Sequence, residues 1–133
     1  MEVFRTPGLD RRYPVIMLVA ATTIGSASYL HLDGRIPLGF TTITGEHFGL
    51  VSVPEAILAV LLATGAVTTI VTPHRARTVA RRVIGLAALG VLVGLAATLV
   101  FSPHIAADLA YHLSVLAVLL AALLPLARPG TTA

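Results

Sequence analysis

Four long apolar runs constrain this chain more than any other feature. They cover approximately residues 13–32, 50–72, 83–101 and 103–127. Each comes close to the roughly 20 residues that an α-helix needs to cross about 30 Å of hydrocarbon. Inside a bilayer every backbone N–H and C=O must be satisfied within the protein. Uninterrupted apolar runs therefore favour helices, whereas membrane strands would alternate polar and apolar residues. Composition agrees. Of 133 residues, 56% are hydrophobic and 11% charged, with a mean hydropathy of +0.92. That is too little charge to cover a water-facing surface. The expected fold class is an all-α integral membrane protein, a four-transmembrane-helix bundle. A single membrane domain is expected over 1–133, with no repeat, linker or second domain evident in the pattern. The first apolar run lacks a small-x-small cleavage site before a soluble domain, so it is expected to be retained as a span.

Arginine sets the expected orientation. The chain has nine arginines and no lysine. Arg5, Arg11 and Arg12 precede the first run; Arg75, Arg77, Arg81 and Arg82 lie between the second and third; Arg128 follows the fourth. Only Arg35 falls in the other two connections. Positive charge collects on the cytoplasmic side of membrane helices, so both termini are expected in the cytoplasm of a multi-pass cell-membrane protein. The same grouping argues against nucleic acid as a partner, because the arginines flank apolar runs without interleaved aromatics. The expected partners are the lipid bilayer and a homo-oligomer or larger membrane complex. The absence of cysteine excludes disulfides, thiolate chemistry and cysteine-based metal centres.

With that orientation, most of the metal-ligating side chains gather at the outer face. His31 and Asp33 follow the first run, and Glu46 and His47 precede the second. Glu55 lies one turn into the second. The fourth opens His104-Ile-Ala-Ala-Asp108-Leu-Ala-Tyr-His112. Spacings of four place His104, Asp108 and His112 on one helix face. The first and last stand about 12 Å apart, so one ion cannot touch all three, but neighbours in the row can share one. Imidazole with carboxylate suits a transition-metal ion such as Zn, Cu or Fe. The candidate metal residues are His31, His47, Asp108 and His112, then His104, Asp33 and Glu55. The site is net negative against a positive inner face, which favours cations.

Structural readings of the same residues stand beside these. Ser52-Val-Pro-Glu55 has the pattern of a capping box, with Glu55 at N3 and Pro54 in the first turn. Asp108 would be an N-cap if its helix started late. His31 and His47 would be wetted interfacial residues. His74, among arginines, is expected on the solvated surface, and Tyr13, Tyr29 and Tyr111 as interface anchors. Gly90 and Gly94 form a GxxxG pair that allows close helix approach, in the bundle or in a dimer. The segment from Asp33 to Gly45, with Gly34, Pro37, Gly39 and a threonine run, is expected to turn with little regular structure.

The stretch from Pro54 to Gly65, with arginines following the span, resembles the second helix of DoxX-like four-helix membrane proteins. The first span lacks the arginine-led start of that family, so no residue role is carried over. Small multidrug transporters match in size and span count, but their key glutamate sits mid-membrane in the first helix, where this chain has no acid.

Three functions follow as expectations. The first is a membrane protein binding a transition-metal ion at its outer face, with metal-dependent chemistry on a lipid-like substrate as an extension. The second is an accessory subunit of a larger membrane complex. The third is a small oligomeric transporter. The orientation has its own test. A fluorescent protein fused after Ala133 is expected to fold and fluoresce, and a phosphatase inserted between Gly34 and Thr44 to be active. The reverse pattern would invert the topology.

Overall fold

A computed structural model describes residues 11–32, 34–37, 39–44, 49–101 and 106–127. Helix α1 covers Arg12–Leu30, α2 Gly49–Val71, α3 Ala76–Phe101 and α4 Ala106–Ala127. All four are long and apolar enough to cross a membrane. Two short strands, β1 (Arg35–Pro37) and β2 (Thr42–Thr44), pair antiparallel between α1 and α2. A single 3₁₀ turn, Pro73–Arg75, joins α2 to α3. Helix α3 packs against both α2 and α4, and α1 packs chiefly on α2.

One boundary and one short element add to the sequence reading. Helix α3 begins seven residues before position 83 because the backbone ladder needs helical φ/ψ, not apolar side chains. Arg77, Arg81 and Arg82 therefore ride on its first turns, and Arg77 donates to the Pro125 carbonyl at 3.3 Å, capping the end of α4. The segment expected to turn with little regular structure does turn, and it adds one short element, the β1–β2 hairpin. Its register pairs Arg35 with Thr44 and Pro37 with Thr42. Gly39 turns it with φ 83°, a conformation that a Cβ disfavours.

The core is a narrow stripe. Met17, Ile24, Leu62, Ile84, Leu119 and Leu126 are buried, with alanines between them. Only 28–33% of each span is buried, while Val19, Ile57, Val60, Leu92 and Leu124 face outward. Such broad outward apolar surface suits lipid. Threonine hydroxyls do not alter this. Thr22, Thr23, Thr68 and Thr72 each donate to the carbonyl four residues back at 2.6–3.0 Å, so they add no unsatisfied polar group.

Glycines set the helix spacing. A Cβ at Gly90 would stand 2.7 Å from Leu58 Cδ1, so this half of the GxxxG pair seats α2 within the bundle. A Cβ at Gly65 would stand 2.7 Å from Val83 Cγ1 and 3.1 Å from Val83 Cβ. The leucine tip can rotate away, but the β-branched valine cannot without moving its helix. Gly65→Ala is therefore expected to lower stability in detergent by about 1 kcal/mol net, overpacking outweighing the gain in helix propensity. Gly90→Ala is expected to be near neutral. Thermal unfolding of the two variants side by side checks this, and equal effects would refute it.

Candidate His–carboxylate site

The site forms at the hairpin end of the bundle from one or two side chains of each helix. Two small residues prepare the α1–α2 contact. Ser28 and His31 stand three apart on α1, Ser52 and Glu55 three apart on α2, so each pair shares a face. The Ser28 hydroxyl donates to the Ser52 carbonyl at 2.8 Å. His31, the C-cap of α1, brings Nδ1 within 2.6 Å of Glu55 Oε2. Glu55 is 6% exposed, and its Oε1 has no hydrogen-bond partner among the described residues.

The capping-box reading of Glu55 is thereby corrected. Helix α2 starts at Gly49, so Ser52 lies inside the first turn rather than at the cap, and Glu55 Oε2 is engaged by His31. Likewise α4 starts at Ala106, so Asp108 is an acidic residue of the first turn and not an N-cap. Its position favours a carboxylate, since the helix N-terminus carries partial positive charge.

The α3–α4 side supplies the rest. Thr98 donates to Asp108 Oδ2 at 3.2 Å. Asp108 Oδ1 faces His31 Nε2 at 3.9 Å and His112 Nδ1 at 3.4 Å. The Asp108 carbonyl lies 2.9 Å from His112 Nδ1. A carbonyl only accepts, so that nitrogen carries a proton. His112 is buried, and a Cβ at Gly94 would stand 3.2 Å from its Nε2. Gly94, the second half of the GxxxG pair, thus makes room for the imidazole. The Tyr111 ring meets His112 edge-on, with centroids 4.8 Å apart at 74°, which places this tyrosine beside the site.

Four of the seven candidate residues, His31, Glu55, Asp108 and His112, therefore lie together. His47, His104 and Asp33, together with Glu46, fall outside the described residues. His74 is exposed on the 3₁₀ turn, as expected. Ser28, Ser52 and Thr98 were missed. Thr98 had a signal: Gly90, Gly94 and Thr98 recur every four residues and mark the α3 face turned to α2 and α4.

Chemically, the arrangement is an imidazole set between two carboxylates. Glu55 fixes the ring and leaves Nε2 directed at the gap before Asp108. This is the orienting role a carboxylate plays behind a metal-bound or acid–base histidine. Among the described residues, no three His or carboxylate groups converge closely enough to hold a metal ion by themselves. The hydrogen bond to Glu55 raises the His31 pKa above 6.5; burial opposes it, and the charges of Glu55 and Asp108 add to it. The folded state thus binds the His31 proton more tightly than the unfolded chain does. The resulting stabilisation is full below pH 6.5 and fades as pH rises through the raised value. In chelator-treated protein, thermal stability is expected to fall across that interval above pH 6.5. Glu55→Gln is expected to flatten the dependence, and a slope that persists in this variant would refute the assignment.

Comparisons with known proteins found no matching family model, no similar curated protein and no similar solved structure, so the functional reading rests on the geometry of these side chains.

Proposed function

We propose that this chain is a small multi-pass protein of the cell membrane, with both termini in the cytoplasm, whose outer end carries an exchangeable cation site. His31 holds a proton there and releases it for a transition-metal ion of the Zn, Cu or Fe class. The observation that carries this reading is the gap between His31 Nε2 and Asp108 Oδ1, 3.9 Å wide, with both groups oriented from behind by Glu55 and Thr98. That gap is too long for a hydrogen bond. An ion bound at about 2.0–2.2 Å to each atom fits it with a wide N–metal–O angle. A divalent ion that displaces the His31 proton adds one net positive charge, which offsets the excess of two carboxylates over one imidazolium. The Asp108 main-chain carbonyl accepts the His112 Nδ1 proton, which holds that imidazole beside the Asp108 carboxylate.

With two protein donors, the remaining coordination positions go to water or to the unassigned candidates His47, His104 and Asp33. An open position with water is the condition for metal-assisted attack on a lipid-like substrate at the membrane surface. The transporter reading is weaker. Among the described residues, no ionisable side chain lies between this site and the arginine-bearing end, and a transmembrane path needs polar steps along its length.

Zinc titration of the detergent-purified protein tests the proposal. Stoichiometric binding is expected, with proton release seen as a heat that varies with the ionisation enthalpy of the buffer. His31→Ala and Asp108→Asn are expected to abolish it, and Glu55→Gln to weaken it by about 10–100-fold. No binding, or binding unchanged in His31→Ala and Asp108→Asn, would overturn it.

A further inference from the structure

The hairpin after α1 carries features that the cation site does not use. Phe40, at its turn, is 90% exposed, the highest value among the exposed large apolar side chains. Leu32 and Tyr29, just before the hairpin, are each more than half exposed. Arg35 at the start of β1 is exposed as well, and among the described arginines it is the one that lies away from the basic end. The hairpin is fastened to α1: the Gly34 and Leu32 amides both donate to the Tyr29 carbonyl at 3.1 Å. A Cβ at Gly34 would come within 2.6 Å of the Tyr29 ring, so the chain turns tightly there.

We infer that this hairpin is an interfacial anchor: Phe40 enters the boundary between headgroups and acyl chains, and Arg35 binds a lipid phosphate. The inference rests on membrane insertion of the four helices and is independent of the metal. Three arguments select lipid as the occupant. The hairpin leaves α1 where its apolar span ends, which is the depth of the interface. An exposed aromatic ring at the turn and an exposed cation at the base of the same hairpin match the chemistry of that layer, where rings settle and guanidinium groups meet phosphate. The two strands are short and, among the described residues, paired only with each other, so the hairpin presents its turn rather than a long edge for another sheet. The consequence reaches the site. His31 lies between Tyr29 and Gly34, so anchoring the hairpin fixes the height of the imidazole just beneath the headgroups. A dissolved cation and a lipid headgroup would then both reach it.

The chain contains no tryptophan, so Phe40→Trp supplies a single reporter. The protein would be reconstituted in phosphatidylcholine vesicles with and without phosphatidylglycerol, and Leu92→Trp, on the outward face of α3, would serve as reference. Blue-shifted emission from position 40 is expected. Lipids brominated high on the acyl chain should quench it more strongly than lipids brominated near the chain end, and iodide should have little effect. Adding Arg35→Glu is expected to reduce that quenching, most in vesicles containing phosphatidylglycerol. Water-like emission quenched by iodide, with Leu92→Trp still quenched by brominated lipid, would overturn the anchor and leave insertion standing. Blue-shifted emission insensitive to brominated lipid but dependent on protein density would also overturn it, pointing to contact between copies. Failure of lipid quenching at both positions would overturn insertion itself and the anchor with it.

Discussion

An ionisable group inside an apolar bundle must find its partners on the same chain. Water is not there to solvate it, and an uncompensated charge costs several kcal/mol. This chain answers the constraint by confining its described carboxylates, Glu55 and Asp108, to one end and giving each a donor. The 2.6 Å contact between His31 and Glu55 is the central case. It joins the end of α1 to the first turns of α2, next to the Ser28–Ser52 bond. The imidazole is thereby turned so that its other nitrogen meets Asp108. The rest of the site depends on this ring being held.

Much of the fold could be read from residue types because lipid imposes a simple length rule on spans. The helices exist where the apolar runs do. Their ends were less legible. At α3 the arginines ended the apolar pattern without ending the helix, since long basic side chains can extend from a helix into the interface. The hairpin escaped notice because three residues per strand give too short an alternation to register.

The site was half legible for a related reason. Asp108 and His112 belong to one helix, so their i,i+4 spacing already implied contact. His31 and Glu55 belong to different helices, and sequence spacing carries no information about which turns meet. The pattern Ser52-Val-Pro-Glu55 misled in a specific way. A capping box and a buried face both put Ser and Glu three residues apart, and only the helix start distinguishes them. Thr98 reads as an ordinary polar residue until Gly90 and Gly94 are seen to prolong the same row.

The partition of hydrogen bonds bears on how such a protein is made. His31 and Glu55 lie on the first helical pair; Thr98, Asp108 and His112 lie on the second. Each pair therefore carries its own donors and acceptors and can form without waiting for the other. Only the facing of His31 and Asp108 requires that both have arrived. The gap between them is thus the last element to be assembled, and a chain halted after its second helix would hold a paired half-site rather than a lone carboxylate.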